Sequence, residues 1–275
     1  MCATEPAPPV VLSPHFDDAV LSAWHVLSEN ATGMVVTVFG GVPEPGFVTD
    51  LDRAHHADDS AAWLERRRVE DGAAVALAGW EPEHLEFLEA QFPAWQIPQM
   101  RAAIANAPDQ FVSLVADDPR IETDPDTLLA EVAPLLPADA TVYGPVGIGG
   151  HPDHRDLARA TIRLRGRVRS VRLYADSPYF VFHGLPTYCG ADGDEAADGD
   201  VAADRWINEA LDRVVDDDIS LVRHVERLSA PAFERKLDAL RCYTTEFPLV
   251  LADLEARGGP EMLRYEIWWE LDGGA

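Results

Sequence analysis

The residues of this chain best placed to do chemistry are Pro14-His15-Phe16-Asp17-Asp18, directly after the apolar run Val10-Val11-Leu12 and before a helix-like segment, Ala19 to Leu27. Polar groups collect where a buried strand ends, because the scaffold fixes them there while water and ligands can still reach them. His15 and Asp18 offer a nitrogen and an oxygen donor to a metal ion. Asp17, between them, is a second carboxylate that the same ion does not need, which makes it the candidate base. A second cluster, Gly149-Gly150-His151-Pro152-Asp153-His154, again follows an apolar run, Thr141-Val142-Tyr143, and precedes a helical pattern, Leu157 to Ile162. His151 and His154, three apart, fall near one side of a first helical turn. Three protein ligands of mixed His and Asp type, with one position left for water, form the pattern of a catalytic zinc site. A structural zinc takes four ligands, commonly cysteines. Cys2, Cys189 and Cys242 have no neighbours at ligand spacing.

With PHFDD and HPDH both complete and in this order, the chain resembles the PIG-L or LmbE-like zinc-dependent N-deacetylases, whose hallmarks are P-H-x-D-D and H-x-D-H. The resemblance implies that His15, Asp18 and His154 bind one Zn2+, or another divalent ion, that Asp17 is the general base, and that His151 stabilises or protonates the reacting group. Arg67-Arg68-Val69-Glu70 is similar to the family's R-x-x-E helix and places Arg67 at the substrate. Lys236-Leu237-Asp238-Ala239-Leu240 is similar to its late K-x-x-A-L helix. Where many members then show Ser-Gln, this chain has Thr245-Glu246, a departure assigned to an outer element. The expected activity is removal of an N-acyl group, most simply acetyl, from an amino sugar in a small glycoside or glycosylated metabolite. In that reaction Asp153 is expected to orient His151 and keep it cationic. An amidase of a thiol-sugar conjugate and a catalytically silent sugar-binding module are the alternatives, and the presence of Asp17 weighs against the module.

Composition fits such an enzyme. A chain of 275 residues, 47% hydrophobic, can bury one sizeable core. Its formal charge of −26 argues against nucleic acid or an anionic membrane as partner. No apolar run approaches the roughly 20 residues of a membrane span, and Met1 to Glu5 lack the basic and apolar parts of a signal peptide, so a cytoplasmic location is expected. The sequence sets no oligomeric state.

The elements that position these motifs alternate between strand and helix, which predicts an α/β fold: a Rossmann-like open sheet, mostly parallel, flanked by helices. Strands are expected at Val10 to Leu12, Met34 to Phe39, Leu85 to Leu88, Thr141 to Tyr143 and Val171 to Tyr174. Helices are expected over Asp18 to Glu29, within Ala57 to Leu77, from Thr127 to Leu135 and after His154. Phe92 to Arg120 reads as an insertion. Residues 191 to 204, low in complexity and acidic, read as a flexible loop. One domain is expected, with an α/β core over about 9–175 and an extension over about 176–275 that includes Ile219 to Arg227, Phe233 to Tyr243 and Tyr265 to Trp269 and shapes the substrate cleft. The glycines of Gly144 to Gly150 do not match a dinucleotide-binding G-x-G-x-x-G; they are read as a tight turn that brings His151 into the cleft.

Overall fold

A computed structural model describes residues 7–190 and 201–272. One sheet carries strands β1 (Val10–Ser13), β2 (Met34–Thr37), β3 (Glu81–His84), β4 (Thr141–Pro145), β5 (Ser170–Tyr174), β6 (Leu221–Arg227) and β7 (Tyr265–Leu271). Their order is β3-β2-β1-β4-β5-β7-β6. The first five run parallel. β7 is antiparallel to β5, and β6 is antiparallel to β7. β1 is therefore a switch point: the chain winds to one side of it through β2 and β3, then returns to its other side at β4. A crevice opens outside the carboxyl ends of strands at such a point. Both sequence motifs leave the sheet there, one after β1 and one after β4.

The central parallel strands β1, β2 and β4 are apolar, as strands buried on both faces are; Val10, Val11, Leu12, Val35, Val36 and Val142 are all buried. The strand expected at Leu85 to Leu88 lies earlier, at Glu81–His84. This is an edge strand whose Glu-Pro-Glu-His sequence carries charge and a proline, both suited to an edge that must not recruit another chain. The five expected strands become seven because β6 and β7, assigned to an extension beside the cleft, join the sheet. The loop expected over 191 to 204 falls outside the described residues up to 200, and a helix, Val201–Val214, follows. Among the described residues no helix is long and apolar enough to cross a membrane.

The helix expected from Asp18 to Glu29 is broken at Ala23 into Asp18–Ser22 and Trp24–Glu29. Glu266 of β7 explains the break. Its carboxylate accepts from the backbone N–H of Trp24 at 3.0 Å and of His25 at 2.6 Å, capping the second helix. The same carboxylate takes the His25 ring at 2.7 Å and the Lys236 ammonium at 2.6 Å. Lys236, fully buried in the helix Ala230–Leu240, also donates to the carbonyls of Leu21 and Leu263 at 2.7 and 2.9 Å. The single lysine of the chain thus joins the first helix after β1 to the C-terminal strands. Burial would raise the Glu266 pKa, but Lys236 and His25 outweigh it and hold the carboxylate down at about 2.

Removing one partner of such a buried pair leaves the other unpaired, so Lys236→Met is expected to cost about 3–5 kcal/mol of stability in urea unfolding. The pH dependence has a defined sign. Because the folded pKa of Glu266 lies below its ordinary 4.5, its contribution is complete above about pH 4.5 and is lost as pH falls toward 2. The stability gap between wild type and Glu266→Gln is expected to narrow over that window.

Candidate metal centre

The turn after β1 is fixed by its own side chains. Ser13 Oγ donates to the carbonyl of His15 at 2.6 Å and accepts from Ala19 N–H at 3.0 Å, while Asp18 Oδ2 accepts from His15 N–H at 2.9 Å. After β4 the chain turns at Gly147, φ 88°, where an added Cβ would lie 3.1 Å from Arg155 Cα, so the close approach as well as the angle calls for glycine. His151 follows as the cap residue of the helix Pro152–Ile162, with His154 in its first turn.

These two turns bring three donor atoms together. His15 Nδ1 lies 3.2 Å from His154 Nε2 and 3.4 Å from Asp18 Oδ2, and His154 Nε2 lies 3.4 Å from the same oxygen. Tetrahedral ligands at zinc bond lengths of about 2.0–2.1 Å stand about 3.3–3.4 Å apart, so the triangle fits such an ion. The far nitrogen of each imidazole is held by a carboxylate: His15 Nε2 by Asp153 Oδ2 at 2.9 Å, and His154 Nδ1 by Asp176 Oδ1 at 2.6 Å. With these nitrogens donating, the tautomers leave both lone pairs on the nitrogens that face the triangle. Burial acts to lower the pKa of His15, yet its hydrogen bonds to Asp153 and Asp18 and the charge of Glu89 hold it well above the ordinary value. Such a field of carboxylates is the setting a divalent cation needs.

Asp176 was not singled out in the sequence, although it follows β5 as His15 and Asp17 follow β1, and the strand-end argument applies to it equally. Its Oδ2 accepts from the N–H groups of Val146, Gly147 and Ile148 at 3.1, 2.8 and 3.0 Å. The glycine-rich turn therefore cradles a buried carboxylate as well as turning the chain toward His151.

Asp153 requires a correction. It was expected to orient His151 and keep it charged, but its Oδ2 is 3.8 Å from His151 Nδ1, beyond hydrogen-bond range, and is occupied by His15 and by Ala90 N–H at 3.0 Å. Asp153 is the positioning residue of His15. Burial first, reinforced by the charges of His15 and His154, outweighs the opposing charge of Asp153 and pushes the His151 pKa well below its ordinary value. It is 7% exposed, and its Nδ1 has no hydrogen-bond partner. A ring nitrogen of His151 also lies within 4.8 Å of those of His15 and His154.

A cavity of about 380 Å³ opens over the triangle, lined by His15, Asp17, Asp18, Arg67 and His151 among others. Asp17 stands at the cap position of the helix Asp18–Ser22 but makes no capping hydrogen bond with its side chain. Burial first, and then the charge of Asp18, push its pKa up to about 7. Arg67 lines the cavity as expected, but it is engaged: Nη1 donates to Glu89 at 2.8 Å, and Nε lies 3.6 Å from Glu246. Glu246 shows that the departure at Thr245-Glu246 lies in the cleft and not on an outer element. Thr245 and Thr244 bond Glu70, tying the R-x-x-E helix to the segment that carries Glu246. The insertion packs around its own small core, Met100, Ile104, Phe111 and Val115 among them, and gives Phe111 and Val112 to the cleft wall.

No family model matches the chain. It is 28% identical over 198 residues, 62% of its length and 67% of the relative's, to a 2'-N-acetylparomamine deacetylase of Niallia circulans. Its fold is that of the A40926 pseudoaglycone deacetylase Dbv21, with a TM-score of 0.61 and 23% identity over 98% of this chain and 99% of that one. The zinc-inhibited form of the teicoplanin deacetylase Orf2 also has a TM-score of 0.61, at 22% identity over 96% and 98% of the two chains. The resemblance to PIG-L or LmbE-like N-deacetylases, read from PHFDD and HPDH, is borne out by these comparisons.

If Asp176 sets the ligating nitrogen of His154, Asp176→Asn is expected to weaken zinc binding by about 10–100-fold, the usual effect of losing a carboxylate behind a ligand histidine. Competition titration with a chromophoric chelator reads this without reference to activity. Unchanged affinity in a folded variant would remove Asp176 from the site.

Proposed function

We propose that this chain is a metal-dependent hydrolase that removes an N-acyl group, acetyl in the first instance, from an amino sugar within a small glycoside or glycosylated metabolite. The observation that carries the reading is the triangle of His15 Nδ1, Asp18 Oδ2 and His154 Nε2 beside Asp17, a carboxylate with no role in holding that triangle. The name of the relative, a deacetylase of an N-acetylated compound, supports the same reaction class.

His15, Asp18 and His154 would hold one Zn2+ or another divalent ion. Bound there, the ion supplies Lewis acidity, polarising the amide carbonyl and lowering the pKa of a water molecule toward neutrality. The protein's own groups do the rest. Asp17, which faces the cavity and takes no part in holding the triangle, can accept a proton from the attacking water. His151, which lines the cavity, can present a ring N–H to the oxygen on which negative charge develops. Asp17 can then return its proton to the departing amine, so that a single carboxylate serves attack and expulsion. Arg67, fixed between Glu89 and Glu246, narrows the cleft beside Asp17 and steadies that carboxylate's charge.

Two adjacent aspartates are thereby given different tasks, and the variants separate them. Asp17→Asn is expected to keep the metal content of wild type while losing amine release by about 10²–10⁴-fold. Asp18→Asn is expected to lose metal, with partial recovery of rate at high zinc concentration by mass action. Elemental analysis alongside turnover of an N-acetyl amino sugar panel reads both. Equal metal loss in the two variants, or zinc rescue of Asp17→Asn, would overturn the assignment. Tight sugar binding with no amine release from any member of the panel would identify a binding module instead.

A further inference from the structure

The cleft holds a third imidazole braced by a carboxylate. His15 is braced by Asp153 and His154 by Asp176. His55, which the proposed chemistry does not use, lines the same cavity with its Nδ1 3.4 Å from Glu246 Oε1. Behind His15 and His154 such a brace fixes the tautomer and leaves the opposite nitrogen for a metal. His55 belongs to no metal-holding group among the described residues. With Nδ1 given to Glu246, its Nε2, on the far edge of the ring, is the nitrogen left for a ligand.

The ring is fixed from both ends. His55 closes the helix Asp50–Ala54, and its N–H reaches the carbonyls of Leu51 and Asp52 at 3.2 and 3.0 Å. That short helix is pinned in turn: Thr49 Oγ1 accepts from Asp52 N–H at 3.0 Å and donates to Gln91 at 2.7 Å, and the Asp52 carboxylate accepts from Ser60 and Gln91. Glu246, on the other side, lies 3.6 Å from Arg67 Nε, and Glu89 holds the same guanidinium. A side chain 28% exposed in the cavity wall is therefore oriented before a ligand arrives, which spares binding the entropy of ordering it. The charged groups around it are Glu246, Arg67 on the helix Ser60–Leu77 and Asp52 on its own helix. The pairing with Glu246 raises the His55 pKa above its ordinary value; the charges of Glu246 and Asp52 act the same way, and burial and Arg67 act against it. A glutamine at position 246 could accept from the ring but could not hold its charge.

We propose that His55, held through Nδ1 by Glu246, is a substrate-binding residue of the cleft, whose Nε2–H donates from the protonated ring to a hydroxyl oxygen of the amino sugar. As a substrate contact it rests on the deacetylase reading above. A neutral hydroxyl suits the site better than an anionic group, because the His55–Glu246 pair carries no net charge and Asp52 and Glu89 line the same cavity. Glu246 acts through His55 as its positioning residue, which gives the departure at Thr245-Glu246 a purpose in the cleft.

The test reads His55 itself by NMR in zinc-loaded protein, with its imidazole C–H resonance assigned by its loss in His55→Gln. The ring is expected to titrate above the ordinary histidine value in wild type and at lower pH in Glu246→Gln. N-acetylglucosamine at saturation is expected to shift the resonance, and to bind more weakly once the ring has lost its proton. Identical titration in the two proteins, or a resonance that ignores the sugar, would overturn the proposal. Turnover supplies the second readout, using whichever sugar of the N-acetyl amino sugar panel is hydrolysed fastest. In His55→Gln the KM is expected to rise about tenfold, the effect of losing a hydrogen bond from a charged donor, while kcat changes by less than about threefold. The rise of KM with pH in wild type is expected to begin at lower pH in Glu246→Gln and to be absent from His55→Gln. An unchanged KM in His55→Gln overturns the contact. No amine release from any sugar, with the NMR response to N-acetylglucosamine intact, supports the contact and counts against the deacetylase reading alone.

Discussion

The structure depends on two imidazoles held from behind. Asp153 fixes the Nε2 of His15 and Asp176 fixes the Nδ1 of His154, so each ring turns its remaining lone pair toward the other and toward Asp18. Without those carboxylates each ring could exchange tautomers or rotate, and the triangle would lose its shape. The constraint reaches well beyond the site. Buried carboxylates need donors, and the chain supplies them as backbone N–H groups, Ala90 for Asp153 and Val146, Gly147 and Ile148 for Asp176. The turn after β4 and the entry to the helical insertion are therefore shaped by the hydrogen-bonding needs of residues behind the ligands.

This arrangement also links the insertion to the chemistry. Ala90 N–H bonds Asp153, Gln91 donates to Glu89 and Asp52, and Glu89 holds Arg67 beside Asp17. The segment leading into the insertion, Glu89 to Gln91, is thus in hydrogen-bond contact with the carboxylate behind His15 and with the guanidinium that faces the candidate base. On the other flank, Glu246 enters from the C-terminal region and reaches the same guanidinium. The cleft is closed by segments that the central sheet does not provide, which is why its charge can differ from that of the catalytic triangle.

Much of the site was legible in the sequence because its first layer is local. His15 and Asp18 lie within one turn after β1, and His151 and His154 within one helical turn after β4, so spacing alone groups each pair. That the two groups meet follows from the switch point at β1. The second layer was not legible, because it depends on which strands lie side by side. Asp153 is adjacent in sequence to His154 and near His151, yet its partner is His15, across the β1–β4 crevice. Asp176 belongs to no spaced motif, and its role appears only when β5 is placed next to β4. The same limit applied to the sheet: Glu81–His84 and Leu221–Arg227 are edge strands with polar sequences, and an apolar-run criterion passes over them. The break at Ala23 was hidden for a related reason, since the group that causes it, Glu266, is 242 residues from Trp24.

The central claim is that the two carboxylate-held imidazoles and Asp18 form one metal site with defined ligating atoms. Anomalous diffraction from zinc-loaded crystals, recorded on both sides of the zinc edge, tests it most directly. The account expects one strong peak per chain, at bonding distance from His15 Nδ1, Asp18 Oδ2 and His154 Nε2, with Asp153 and Asp176 still on the opposite nitrogens. A peak bonded to His15 through Nε2, or centred on His151 and Asp153 with Asp18 unligated, would contradict it.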